Sequence, residues 1–352
     1  MNVGVAGAGV VGSIVALEAL RLGWDVEIFD APDASRRCSR TAAGMLSPYA
    51  ELECTDADLF AAGMRSLDRW PSLLAALPEP VFFRRDGSVL TAHPGDGPVL
   101  RRMLDVIEKK SGAHLAPVSS EWLRSSEPAL SGRSEVYLLP DEGQIDSQAF
   151  VAVAGEHFLR LGLVRPAEVL AVSPHTIELE DGGRKQFHWV FDCRGLGARH
   201  QLPDLRPVRG EIIWVHAPEV GLRRPLRLMH PRYRIYVVPR PDDLYLVGAT
   251  EIESDDRSPL SVRSALELLS ALFSVHSGFA EARILRTDVN LRPAFPDNRP
   301  RIDHGEGVTR INGLFRHGFL LAPAVVQDAI GAVAERAAVA SHSIRENAYA
   351  AD

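Results

Sequence analysis

The chain opens on three hydrophobic patterns in succession. Val3-Gly4-Val5-Ala6 is a short apolar run of strand type. Apolar and small residues then recur at helical spacing through Ile14, Leu17, Ala19 and Leu20, and Gly23 is a natural helix stop. A second strand-like run, Val26-Glu27-Ile28-Phe29, ends on Asp30. The first strand meets the helix in Gly7-Ala8-Gly9-Val10-Val11-Gly12, a G-x-G-x-x-G spacing. Gly7 permits a tight turn, Gly9 lets backbone approach a pyrophosphate, and Gly12 lets helix and strand pack closely. An anion at this point meets free N–H groups and the positive end of the helix dipole. Asp30 ends the second strand where a carboxylate can accept hydrogen bonds from ribose hydroxyls. Strand, glycines, helix, strand and acid in this order predict a dinucleotide-binding βαβ unit.

Further along, Asp56 to Leu77 is predicted to be an amphipathic helix with Leu59, Met64, Leu67, Trp70, Leu73 and Leu74 on its apolar face. Val81 to Leu90 reads as a hairpin turning at Asp86-Gly87, followed by a helix over about Pro98 to Lys110. Ser147 to Leu161 is helical in pattern; Val164 to Val172 and His175 to Leu179 are strand-like, with a turn at Asp181-Gly182-Gly183. Trp189 to Asp192 has the texture of a buried strand, and it runs into the glycine turn Gly195-Leu196-Gly197. Alternation predicts strands near Glu211–His216, Arg234–Pro239 and Tyr245–Thr250, the last two joined by Pro241-Asp242-Asp243. Val262 to Phe273 is a helix with a stripe at Leu266, Leu269 and Phe273, and Ile284 to Leu291 is another strand. A second glycine turn, at Gly318, opens an alanine-rich helix from about Ala324 to Val339, where another anionic or electron-accepting group could be held.

Composition narrows the field. A chain of 352 residues allows two domains with real cores. A net charge of −7 argues against nucleic acid as a partner. Cys38, Cys54 and Cys193 are too few and scattered for a disulfide framework or metal site, which makes the reducing cytoplasm the default compartment. No apolar run is expected to span a membrane, and the apolar N-terminus is read as the first strand rather than a signal peptide.

Four separated blocks then carry a family resemblance. They are the N-terminal fingerprint; Ala42-Ala43-Gly44-Met45-Leu46 with Glu51 following; Tyr236-Val237-Val238-Pro239-Arg240 with Val247-Gly248-Ala249-Thr250; and Leu291-Arg292-Pro293 with Phe315-Arg316-His317-Gly318-Phe319-Leu320-Leu321-Ala322-Pro323. Asp141-Glu142-Gly143-Gln144-Ile145-Asp146 is also typical. In these the chain resembles the D-amino-acid oxidase superfamily of FAD-dependent amine oxidases, and within it the glycine oxidases of thiamine biosynthesis. The resemblance implies an α/β, Rossmann-like FAD-binding domain of glutathione-reductase/D-amino-acid oxidase type, with an α+β substrate domain containing a large antiparallel sheet. The expected division is 1–77, 142–203 and 296–340 for FAD, 78–141 and 204–295 for substrate, and a polar tail at 341–352.

By the same resemblance, FAD would lie along Gly7, Gly9, Val10, Val11 and Gly12, with Asp30 and Ala31 at the adenosine ribose. Cys38, Ser39, Ala43, Gly44 and Met45 would line its middle and flavin end. Val169 would stand by the adenine and Gly195 on the return turn. Leu314, Phe315, His317, Gly318, Phe319 and Leu320 would run under the flavin ring, where a helix N-terminus favours negative charge. The family more often has Glu where this chain has Asp30, and Asn in some members where it has His317. No cysteine follows Cys193, and the related monomeric sarcosine oxidases attach flavin through a cysteine in the C-terminal third, so FAD is expected to be noncovalent.

Amino-acid oxidation asks the protein mainly to orient substrate and exclude water while hydride leaves Cα for flavin N5. A carboxylate calls for a guanidinium fork. Arg292 matches the family's carboxylate-binding arginine, Arg316 its partner near the flavin, and Tyr236 a tyrosine that hydrogen-bonds substrate. His230 and His317 are polar candidates nearby. Glu251 stands where some glycine oxidases have an apolar residue, so it would narrow or charge the pocket. The leading expectation is an oxidase turning glycine, O₂ and water into glyoxylate, ammonia and H₂O₂, with the imine supplying thiazole formation. Sarcosine and small D-amino acids remain open as substrates. Two alternatives stay beside it: a D-amino-acid or glycine dehydrogenase, including the cyanide-forming type, with another acceptor; and a non-catalytic flavin-binding protein. A homo-oligomer is implied, since such relatives are often tetramers.

Overall fold

The apolar runs assemble first into a six-stranded sheet. In the computed structural model, which describes residues 1–33, 35, 37–93, 95–230 and 235–349 (340–349 for their backbone alone), its order is Arg301–Gly305, Val308–Asn312, Trp189–Asp192, Asn2–Ala6, Asp25–Asp30, Val164–Pro166. Only the Arg301–Gly305 edge strand runs antiparallel to its neighbour; the other pairs are parallel. Asn2–Ala6 is central and covered on both faces, which is why it reads as a continuous apolar run rather than an alternating one. Helix Val10–Arg21 is buried along nearly its whole length, between this sheet and the closing helix Gly318–Tyr349.

A second sheet of seven strands has the order Arg283–Ala294, Arg206–His216, Leu244–Gly248, Ile235–Arg240, Leu226–Met229, Ser88–Ala92, Val136–Leu139. All its pairs are antiparallel except Leu226–Met229 with Ser88–Ala92. Two three-stranded sheets complete the fold: Val169–Ser173, Thr176–Leu179 and Arg184–Gln186, and Met45–Leu46, Gly143–Ile145 and Phe83–Arg84.

Helix Ala57–Ala75 starts where the sequence places it, because the Asp56 carboxylate accepts from the Leu59 N–H at 3.1 Å. Its Trp70 is fully buried, contacts the rings of Phe150 and Phe319, and donates its indole N–H to Phe319 O at 3.1 Å. That bond fixes the first turn of the closing helix.

Several expectations need correction. Val81 to Leu90 is not a hairpin: Phe83–Arg84 pairs with Gly143–Ile145, whereas Ser88–Ala92 joins the large sheet. Gly87, at φ +93°, turns the chain from one sheet into the other. Val164 to Val172 is two strands in different sheets, Val164–Pro166 and Val169–Ser173. In helix Val262–Val275 the buried face is Leu268, Ala271, Leu272 and Val275; Leu266 and Phe273 of the expected stripe are exposed. Arg234 lies outside the described residues, and its strand runs Ile235–Arg240. The closing helix starts at Gly318 and continues to Tyr349, beyond the expected 324–339 and into the expected polar tail; residues 350–352 lie outside the described set. Phe315–Val339 is, by length and hydropathy, long and apolar enough to cross a membrane, contrary to expectation, yet 67% of its most apolar window is buried inside the protein. It is a core helix of this fold.

Candidate active site

Between the two large sheets lies a cavity of about 600 Å³. It runs from the glycine turn after Asn2–Ala6 to the first turn of the closing helix. Of the residues predicted at the site, all border it except Gly12 and the candidate His230, so Arg292, Arg316 and Tyr236 share one space with the residues expected around FAD. Gly12 acts from behind the wall: a Cβ there would stand 1.8 Å from Gly7 O.

At the turn, Gly7 has φ +95°, and its would-be Cβ meets the Cys193 carbonyl at 2.7 Å. The helix that follows has no side-chain cap on its N-cap Gly9 and no acidic residue in its first turn, which leaves its positive end open to an anion. Ser39 Oγ accepts from Val10 N–H at 3.0 Å. Asp30 braces the turn from the next strand: Oδ1 accepts from Ala8 N–H at 2.9 Å, and the other oxygen pairs with Arg37. Burial raises the Asp30 pKa on balance, with Arg37 opposing.

The middle wall is held by two polar side chains. Buried Arg240 donates to Ala43 O at 2.6 Å, Ile145 O at 2.8 Å and Gln144 Oε1 at 2.6 Å, which pins the Ala43-Gly44-Met45 loop to the large sheet. Gly44 (φ +70°) is required there, since a Cβ would lie 1.9 Å from Ile145 O. Asn290 Nδ2 donates to Ser35 O, Arg37 O and Thr41 Oγ1, tying down the loop ahead of it.

The third wall carries the charge. The Arg292 guanidinium lies against Gly210, whose would-be Cβ meets its carbon at 2.3 Å. Its NH1 donates to Thr250 O at 3.0 Å and Arg209 O at 3.4 Å, and among the described residues no carboxylate forms an ion pair with it. Burial lowers its pKa, with Tyr236 and Glu251 opposing. Tyr236 stands beside it, with its hydroxyl over Gly248 and its own pKa raised by burial. Arg316 is in the opposite condition. Its Nε and NH2 meet Glu51 Oε2 at 2.9 and 2.8 Å, and NH1 meets Glu251 Oε2 at 2.8 Å. Arg227 closes on the other Glu51 oxygen at 2.5 Å. Burial alone would raise the Glu51 pKa, but Arg316 and Arg227 more than reverse it and hold the carboxyl well below the usual carboxylate range. Burial pushes His317 down to about 4, so it is neutral near pH 7. His230 does not border the cavity; it faces Asp96, 3.9 Å away.

The sequence pointed to Arg292, Arg316 and Tyr236 but passed over Arg227, Gly210 and the counter-ion part of Glu51. Glu51 was visible only as the acid after the Ala42–Leu46 block, with nothing to name its partners.

These residues fit FAD: an open glycine-lined helix end for a pyrophosphate, an acid beside it for ribose, and an apolar stretch leading to a second helix N-terminus. The family described as "FAD dependent oxidoreductase" matches residues 2–328. The chain belongs to this family. It is 38% identical over 349 residues to a Rhizobium etli protein provisionally named thiamine biosynthesis oxidoreductase ThiO, covering 96% of each chain. It is 24% identical over 346 residues to a glycine oxidase of Bacillus licheniformis, covering 91% of this chain and 89% of that one. Among solved structures, glycine oxidase from Geobacillus kaustophilus superposes with a TM-score of 0.79 at 21% identity, covering 95% of this chain and 94% of that one. Iminodiacetate oxidase from Chelativorans sp. BNC1 gives the same TM-score at 24% identity, covering 95% of each. The protein is thus an FAD-dependent oxidoreductase of the glycine oxidase/ThiO type with the D-amino-acid oxidase fold.

Proposed function

We propose that this enzyme oxidatively deaminates glycine to glyoxylate, ammonia and H₂O₂, with sarcosine and small D-amino acids as further candidates. The observation that carries the reading is the Arg292 guanidinium, turned into the cavity with backbone carbonyls on one nitrogen and, among the described residues, no carboxylate paired with it. Such a fork has its remaining donors ready for a carboxylate. Tyr236 gives a second hydrogen-bonding group to orient that substrate. FAD, when bound, supplies the two-electron acceptor. Noncovalent attachment is part of the proposal, as are a cytoplasmic location and a role in supplying glycine imine for the thiazole of thiamine, the last supported by the Rhizobium relative.

The expected division into FAD-binding and substrate-binding segments belongs here too, supported by the way the two large sheets draw on different stretches of chain. A homo-oligomer is supported by the exposed apolar side chains of Val262, Leu266 and Phe273.

The test is a peroxide-coupled assay of the purified yellow protein in air with glycine, sarcosine, D-alanine and D-proline. Glycine is expected to release peroxide, and Arg292→Ala to abolish this with flavin still bound. Anaerobic bleaching by glycine without peroxide in air would make the protein a dehydrogenase. No bleaching by any of the four would reject the substrate reading.

A further inference from the structure

We propose that Glu251 sets the charge specificity of the cavity: it occupies the position at which a second carboxylate would bind, and so confines the site to monocarboxylate amines. This rests on the amino-acid reading above. Glu251 borders the same cavity as Arg292, Arg316 and Tyr236, and directly follows Thr250, whose carbonyl holds Arg292. Around that wall stand three guanidiniums, Arg227, Arg292 and Arg316, against two carboxylates, Glu51 and Glu251. His317 adds no charge near pH 7. Arg257 approaches from another side, with NH1 on Asn290 Oδ1 at 3.0 Å.

The two carboxylates are not equivalent. Glu51 is built into the wall: its side chain is 12% exposed and it is clamped between Arg316 and Arg227. Glu251 is 45% exposed and holds Arg316 by NH1 alone. It also borders a smaller cavity of about 270 Å³ on the far side of Arg316, so it stands at a boundary between two spaces. Arg292 thus offers a fork to one carboxylate, while the Arg316 nitrogen not held by Glu51 is taken by the protein's own acid, with the Cys54 side chain also beside this guanidinium. A ligand with a second carboxylate meets Glu251 there, and like charges at close quarters are strongly unfavourable. Removing that charge would free the Arg316 edge and provide guanidiniums for two carboxylates.

The test titrates FAD-loaded protein with acetate and with malonate, reading the change in flavin absorbance, which requires no turnover. In the wild type acetate is expected to bind more tightly than malonate. Glu251→Gln should shift the ratio of the two Kd values toward malonate tenfold or more, while Glu251→Asp, which keeps the charge, should hold it within threefold of wild type. A ratio unmoved by Glu251→Gln would overturn the proposal. So would an equal loss in Glu251→Asp, which would assign the effect to shape, or a flavin that neither anion perturbs. In parallel, turnover of iminodiacetate relative to glycine should rise by a similar factor in Glu251→Gln. Absence of glycine turnover with the anion ratios behaving as expected would reject the oxidase reading alone.

Discussion

A guanidinium that lies flat against a peptide leaves no room beneath it for a side chain. Gly210 is that peptide, and the obstacle it would meet is the flexible end of Arg292 rather than backbone. Gly210→Ala is therefore expected to fold and retain FAD while pushing Arg292 out of place, with a tenfold or greater rise in KM for the proposed substrate glycine, about 1.4 kcal/mol of lost binding. A wild-type KM in the variant would mean that Arg292 does not set carboxylate affinity. Arg292 was legible in the sequence because it sits in a block with Leu291 and Pro293. Gly210 was not, because its importance lies on the neighbouring strand, where it pairs with Asn290. Arg316 was legible as an arginine of the site, but not as one already neutralised by Glu51 and Glu251. A side chain's identity is written locally, whereas its counter-ions arrive from distant parts of the chain.

Elements with one dominant pattern were read nearly to the residue. The first βαβ unit and the helix capped by Asp56 show it, since each carries both its periodicity and its stop signals. The failures came where pairing partners decide. Asp86-Gly87 has hairpin chemistry, but the strands on either side find different sheets, so a local turn became a crossing. Helix Val262–Val275 buries Leu268 and Leu272 instead of Leu266 and Phe273, because several apolar stripes were available and the sheet selected one. The contact between helix Val10–Arg21 and the preceding turn is the most exacting of the well-read elements. A Cβ at Gly12 would strike Gly7 O, which is backbone and has nowhere to go. Gly12→Ala is expected to lower flavin content per protein and to drop Tm by several degrees, about 1–3 kcal/mol of overpacking. A variant with its full complement of bound flavin and wild-type Tm would show that the turn relaxes freely.

Across the whole molecule, buried acids join remote segments. Glu142 accepts from Ala50 N–H at 3.0 Å and from the Ser88 hydroxyl, linking three stretches that are far apart in sequence. Burial lifts its pKa to about 7, against 4.5 ordinarily. The folded protein therefore holds a proton there that the unfolded chain has released, and stability falls as pH rises from about 4.5 to about 7, then levels. Glu142→Gln, which has no proton to lose, should gain on the wild type by up to about 3 kcal/mol across that interval. Melting curves at pH 5 and pH 8 check it; an equal Tm difference at both would mean that Glu142 ionises normally. The Glu51 cluster works the other way. Its carboxyl is ionised at every ordinary pH, and removing it by Glu51→Ala would take away the carboxylate that Arg227 pairs with and leave Arg316 with Glu251 alone, at a cost of about 3–5 kcal/mol. Loss of less than about 1 kcal/mol in a denaturant titration would contradict the clamp.

The cover on helix Val10–Arg21 comes partly from Gly318–Tyr349, which gives synthesis of this protein an awkward order. The apolar unit made first must wait for the part made last. At about 5–20 residues per second, the nascent chain carries that uncovered helix for roughly 15–60 s. Over that time the strand–helix–strand unit at the start of the chain is a natural client for chaperones at the ribosome, and chains interrupted before Gly318 are expected to aggregate rather than accumulate as a stable fragment.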